Sequence, residues 1–166
     1  MIRAIVHADR EWGIGKDNDM MFSLPKDMKF FRETTLGHVV VMGGNTLRSF
    51  PNGKPLKNRE NIVLSRRQVR DDCVMVRSYD ELKKEMKSRE NEDIYIIGGG
   101  EVYKALLPYC EEVLVTKVNA VGGASVFFPD LDKLENFTCV YESEEIEDNG
   151  HSIRFTTYKN GAVERL

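Results

Sequence analysis

Apolar runs separated by polar, glycine-bearing stretches alternate with amphipathic segments along this chain, and the pattern predicts strands and helices in turn. Residues 2–8 (IRAIVHA) read as a buried first strand. Residues 9–23 follow as a long polar loop carrying Gly13 and Gly15, and a loop of that length in a compact domain usually serves function. Residues 24–36 predict a helix, with Ser23 as N-cap, Pro25 in the first turn and Gly37 at the C-terminus. HVVVM (38–42) is a continuous apolar run of the kind buried in parallel sheets. Gly43 and Gly44 then open a short helix through Ser49, and PNGKPLKNRE (51–60) is a loop. NIVLS (61–65) and VMV (74–76) predict strands, and 79–89 predicts a helix with Leu82 and Met86 one turn apart. IYIIGGGEVYKALLP (94–108) is a buried strand, three glycines and a helix ending near Pro108; EVLVTKV (112–118) is another strand. Segments 137–145 and 151–159 flank Asp148-Asn149-Gly150 as a long hairpin. Strands alternating with helices specify an α/β fold: a mostly parallel central sheet, helices on both faces and a C-terminal antiparallel hairpin.

Composition narrows the class. A length of 166 residues favours one domain spanning 1–166, large enough to bury a core without metals or disulfides. The net charge of -3 gives no reason to expect a broad nucleic-acid or membrane surface. The three cysteines, Cys73, Cys110 and Cys139, are odd in number and lack C-x-x-C spacing, which argues against a disulfide framework or a zinc site. Free thiols suit a reducing cytosol. The apolar run at the N-terminus contains a charge and is too short for a signal peptide or a membrane span, so the cytoplasm is the expected location.

Two junctions repeat one motif. VVVMGGNT (39–46) and IYIIGGGEVY (94–103) each pass from strand through glycines into a helix. Such a junction presents bare backbone N–H groups to phosphate oxygens, and it also serves plain strand–helix packing; two of them together favour a dinucleotide. The second is not the G-x-G-x-x-G fingerprint, because Tyr103 occupies its last place.

Leu24, Asp27, Met28 and Phe31 follow i, i+3, i+4, i+7 and share one helix face that is apolar apart from the acid. A carboxylate there is desolvated, which raises its pKa unless a cation or donors compensate. It suits an amidine-like ligand edge or assistance to protonation, and equally a first-turn acid favouring the helix dipole. Lys54 and Arg59 lie in a Pro/Gly/Asn-rich loop, where a solvated basic loop is the simpler reading and a grip on a carboxylate tail the functional one. Arg66 and Arg67 follow the strand end at Ser65, a place for a 2′-phosphate or for surface charge. The histidines His7, His38 and His151 form no metal spacing, and H-E-x-x-H, G-x-S-x-G and P-loop signatures are missing. A nucleotide site, one buried acid and no nucleophile fit hydride transfer, where the cofactor carries the hard chemistry.

IGKDNDM (14–20), LPKDMKFF (24–31), VVMGGNT (40–46), NRENIVLSR (58–66), IIGGGEVY (96–103) and VFFPD (126–130) stand in an order and spacing that resemble the dihydrofolate reductase family over nearly the whole chain. The resemblance implies NADPH as cofactor and dihydrofolate as substrate, with hydride passing to the pterin C6 and a proton to N5. It implies diaminopyrimidine and pteridine antifolates as further ligands, neither nucleic acid nor membrane as partner, no metal, and a monomer. The implied catalytic residues are Asp27, Thr116 linked to it, and Phe22 at a place the family usually gives to Trp. Ile5, Val6, Met28, Phe31, Phe50, Leu56 and Ile97 would line the pterin and aminobenzoyl pocket, with Tyr103 bordering both ligands. Arg59, with Lys54, would grip the glutamate carboxylate. His7, Ile14, Gly15, Asn18 and Met20 would surround the nicotinamide, segment 14–20 forming a mobile lid. Gly43, Gly44, Asn45, Thr46, Gly98, Gly99, Gly100, Glu101 and Val102 would hold the pyrophosphate and ribose, while Leu64, Ser65, Arg66 and Arg77 would meet the adenosine end.

Several positions depart from that family pattern. Met21-Phe22 replaces Pro-Trp, His7 a small alanine, Gly44 a phosphate-binding Arg and Leu47 a bulky aromatic. Glu101 stands where a basic or neutral residue is usual, and Gly123-Ala124-Ser125 replaces a Gly-Asp that anchors the lid. Two other readings compete. The pyrimidine reductase of riboflavin synthesis has the same fold but is disfavoured by the Leu-Pro-x-Asp segment and Arg59. A noncatalytic nucleotide-binding module is motivated by Gly44 and Glu101.

Overall fold

The computed structural model of the chain describes residues 1–17 and 19–166. In chain order it contains β1 (Ile2–Ala8), β2 (Gly13–Gly15), α1 (Pro25–Thr35), β3 (Val39–Gly43), α2 (Gly44–Ser49), β4 (Glu60–Leu64), β5 (Val74–Val76) and α3 (Tyr79–Lys87). There follow β6 (Ile94–Gly98), α4 (Gly100–Leu106), β7 (Glu112–Val118), β8 (Val126–Phe127), β9 (Phe137–Glu142), β10 (Ile146–Asp148) and β11 (His151–Asn160). The main sheet runs β10-β11-β7-β1-β6-β3-β4-β5, with β9 also on β11. Neighbours from β7 to β5 are parallel, and β11 runs antiparallel to β7. The alternating pattern therefore predicts the architecture correctly, because strands with two buried faces need crossover helices.

Side-chain alternation along β3 shows how both faces are covered. Val39 and Val41 pack with Leu82 and Met86 of α3 and Val102 and Leu106 of α4. Val40 and Met42 pack on the opposite face with Leu47 of α2 and with Phe30 and Phe31 of α1. Each such buried side chain contributes about 1.5–3 kcal/mol. Between β3 and β6 the register shifts after Val41, so that Met42 sits opposite Gly98 rather than Ile97.

The structure revises three local expectations. The 9–23 loop contains β2, which pairs with β8, and Ser125 N–H donates to the Gly15 carbonyl at 2.9 Å. Two separated apolar runs thus complete each other, which neither shows alone. The partner of β11 at the hairpin turn is the short β10, with Asp148 opposite His151, while β9 pairs with the C-terminal half of β11. Asn149 (φ 50°) and Gly150 (φ 84°) both take the left-handed conformation that a two-residue primed turn demands.

The third revision concerns the start of α1. Leu24, not Ser23, takes the N-cap position, and no side chain of the helix's own segment caps it. Asp148 does so from the hairpin: Oδ1 accepts from Lys26 N–H and Oδ2 from Asp27 N–H, both at 3.1 Å. Asn149 Nδ2 donates to the Ser23 carbonyl at 2.8 Å. The carboxylate, only 2% exposed as a residue, satisfies orphan donors and offsets the positive helix end. Asp148→Ala is expected to destabilise the protein by about 1–2 kcal/mol, read as a lower urea midpoint, with Asp148→Asn losing less. An unchanged midpoint in Asp148→Ala would show that water caps the helix equally well.

Candidate active site

Because β1, β3, β4, β6 and β7 are parallel, their C-terminal ends gather at one edge of the sheet, where open α/β sheets bind ligands. His7 on β1 and Thr116 on β7 are register partners, so their side chains leave the sheet on the same face. Asp27 of α1 meets both. Thr116 Oγ1 donates to Asp27 Oδ1 at 2.6 Å, and His7 Nδ1 lies 3.3 Å from Oδ2. Asp27 is 9% exposed, and the His7 side chain 8%. No lysine or arginine lies within ion-pair distance of the acid among the described residues. Tyr103 closes the floor: its hydroxyl donates to the Ile5 carbonyl at 2.7 Å. Burial, aided by the charge of Asp27, pushes the Tyr103 pKa well up and keeps the phenol a donor.

An apolar cleft opens beside the acid. Ile5, Ile97, Phe31, Phe50 and Leu56 belong to one apolar cluster, and Val6 packs against the cluster on the other face. Met28 is 44% exposed although it lies on the same helix face as buried Leu24 and Asp27. That exposure leaves the Met28 part of this face uncovered, while Phe30 and Phe31 pack against the sheet. At the far end of α1 sits Arg59, half-buried, with Nε donating to the Lys57 carbonyl and Nη1 to Thr35 Oγ1. Burial, and then the neighbouring Arg32, pull its pKa down. Among the described residues no carboxylate pairs with it. A partly desolvated, unpaired guanidinium is a ready site for a carboxylate.

Glycines shape the neighbouring ends of β3 and β6. Gly98 has φ +128°, a conformation glycine adopts freely, and a Cβ there would sit 3.4 Å from Thr46 Oγ1 and from the Tyr103 ring. A Cβ on Gly100 would meet Val126 at 2.6 Å, so β8 packs directly on the start of α4. Beyond β4, Ser65 Oγ accepts from Gln68 N–H at 3.2 Å, folding 65–68 over Gly44. The Gln68 amide occupies the space a side chain at position 44 would need, and its Nε2 is buried without a partner among the described residues. Arg77 Nη1 donates to the Ser65 carbonyl at 2.7 Å, and Arg66 is exposed beside it.

Most of the residues singled out from the sequence thus converge on one edge. Asp27, Thr116, Ile5, Ile97 and Tyr103 meet at its centre, and Gly43, Gly44, Thr46, Gly98, Gly99 and Gly100 surround the two helix starts. Val102 is core and Leu64 ends β4, so their side chains pack rather than project. Asn45, Glu101, Met20 and Lys54 are exposed; Asn45 bonds to Arg48 within α2. Ile14 and Gly15 belong to β2, and Asn18 lies outside the described residues. His7 turns its side chain to the acid, and Phe22 stands 6.1 Å from that ring between centroids. Gln68 and Asp148 were not legible beforehand: each is an isolated polar residue in a loop or hairpin whose target is remote in sequence. Among the described residues no group of three His, Cys, Asp or Glu is placed to hold a metal, and no helix is long and apolar enough to cross a membrane.

The chain has clear relatives. A profile described as dihydrofolate reductase matches residues 1–160. The chain is 31% identical to a dihydrofolate reductase of Bacillus subtilis over 163 residues, which is 96% of this chain and 94% of that protein. It is 38% identical to one from Haemophilus influenzae over 119 residues, 72% of each. The solved dihydrofolate reductase of Enterococcus faecalis, complexed with NADP(H) and the ligand RAB-propyl, superposes with a TM-score of 0.85 at 26% identity, covering 96% of both chains. With a buried acid in an apolar cleft, glycine-opened strand ends and similarity across the whole fold, this chain belongs to the dihydrofolate reductase family.

Proposed function

We infer that this chain reduces 7,8-dihydrofolate to 5,6,7,8-tetrahydrofolate with NADPH, and that Asp27 is the residue on which the chemistry turns. The observation that carries this reading is the carboxylate buried at the head of an apolar cleft, held by Thr116 and His7, with no lysine or arginine within ion-pair distance among the described residues. The pterin presents an N3–H and 2-amino edge, a pair of parallel donors that matches a carboxylate. Asp27 binds that edge, and Ile5, Phe31, Phe50, Leu56 and Ile97, with exposed Met28 at the rim, enclose the rings. Excluding water there strengthens the electrostatic influence of the carboxylate on protonation at N5. The proton itself comes from solvent. Arg59, with Lys54 nearby, takes the glutamate carboxylate at the other end of the cleft.

The residues present fit a dinucleotide. Gly43, Gly44, Asn45 and Thr46 at one helix start, and Gly98, Gly99, Gly100 and Glu101 at the other, bring two helix N-termini to the same sheet edge, and among the described residues no N-cap side chain bonds to either. Ser65, Arg66 and Arg77, with the unpartnered Gln68 amide, receive the adenosine end and its 2′-phosphate. Ile14, Gly15 and Met20 would border the nicotinamide, which when bound would supply a hydride from its C4 to the pterin C6. Three free thiols fit a reducing cytoplasm.

Three measurements test this reading. Asp27→Asn should lower kcat for dihydrofolate by about a hundredfold or more near neutral pH. It should regain part of the loss as the medium is acidified and solvent supplies the proton more readily. Wild-type rates at pH 7 would remove Asp27 from the mechanism. Arg59→Ala should raise KM for dihydrofolate by roughly ten- to a hundredfold, the loss of a charge-assisted pair of about 1.5–3 kcal/mol. A pterin without the glutamate tail should be unaffected, and an equal change in both would make Arg59 structural. The kcat/KM for NADPH should exceed that for NADH by about tenfold or more, with Arg66→Ala narrowing the gap. Equal values for the two cofactors in the unaltered chain would mean that nothing here reads the 2′-phosphate.

A further inference from the structure

His7 carries two nitrogens in different circumstances. Nδ1 lies 3.3 Å from Asp27 Oδ2. That approach requires a hydrogen on Nδ1, because bare lone pairs on both atoms would repel. Nε2 is buried and has no hydrogen-bond partner among the described residues. The ring cannot turn away from the problem. Its side chain is 8% exposed, and Phe22, itself wedged edge-on against His151 at 4.9 Å, borders it. A buried polar nitrogen without a partner costs about 1–3 kcal/mol, and native structures rarely leave one without a reason.

The surroundings indicate the reason. His7 and Thr116 are register partners on adjacent parallel strands, and they flank the two oxygens of a single carboxylate. A ligand edge that pairs with Asp27 therefore lies beside the His7 ring, within the same water-poor cleft. Resting on the reading that the cleft takes a pterin, we propose that His7 is a further positioning residue: Nδ1 fixes the orientation of Asp27, and Nε2 is the polar contact for the pterin rim adjacent to the edge that Asp27 holds. Neutral, the ring offers Nε2 as an acceptor; protonated, it offers a donor, so either a ligand N–H or a ligand carbonyl can satisfy it. The role assigned to His7 from the sequence, in the nicotinamide pocket, differs from this one.

Two substitutions separate the nitrogens. Asn places its amide nitrogen where Nδ1 stands; Gln places its own one bond further out, where Nε2 stands. His7→Phe keeps the ring and removes both. Dissociation constants for dihydrofolate and NADPH are measured separately by fluorescence quenching. His7→Phe and His7→Asn should weaken dihydrofolate binding by about tenfold, while His7→Gln stays within about threefold of the unaltered chain. NADPH affinity should stay constant throughout. In the unaltered chain, the imidazole ¹⁵N resonance of Nε2 should shift on dihydrofolate binding, a readout that needs no variant to fold. Full affinity in His7→Asn, a loss confined to NADPH, or an unmoved Nε2 resonance would overturn the proposal. Turnover of dihydrofolate by the unaltered chain tests the underlying reading by itself, so the two failures are distinguishable.

Discussion

A carboxylate withdrawn from water needs donors, and Asp27 finds them on two neighbouring parallel strands. Thr116 on β7 and His7 on β1 reach its two oxygens only because strand register brings them level and the pleat points them to the same face. The acid itself comes from α1, whose first turn is fixed by Asp148 and Asn149 of the C-terminal hairpin. The position of one ionisable group thus depends on β1, α1, β7 and the turn before β11. A shift in any of them would leave a buried charge short of partners, which costs more than the net worth of the contact.

The edge proposed for the cofactor depends on the opposite device, the removal of side chains. Glycines at the ends of β3 and β6 let neighbouring side chains close on the backbone, and the register shift after Val41 sets Met42 opposite Gly98. Thr46, Tyr103 and Val126 fill the space that Cβ atoms would enter, so only glycine fits beside them. Gln68 shows the compensation. Where position 44 has no side chain, a neighbouring loop folds over and brings an amide into the gap. The pairing of β2 with β8 joins the segment bordering the cleft to the region beside α4.

Periodicity alone settled the α/β class, the boundaries of β5 and β7 and the buried pair Leu82 and Met86, because two-faced burial writes itself directly into apolar spacing. It also singled out Asp27, since one acid in an otherwise apolar helix face is visible without coordinates. Three-dimensional structure decided what that acid meets. The spacing left Asp27 balanced between a ligand partner and a helix-dipole residue, Arg59 between a grip and a solvated loop, and His7 as a plain core histidine of the first strand. Thr116, His7 and Asp148 lie 89, 20 and 121 residues from Asp27 in sequence, and strand pairing with β8 lay hidden in a polar loop. Local sequence records what a residue's own element buries. Contacts between elements are set by register, crossover and chain reversal, and those are properties of the assembled sheet.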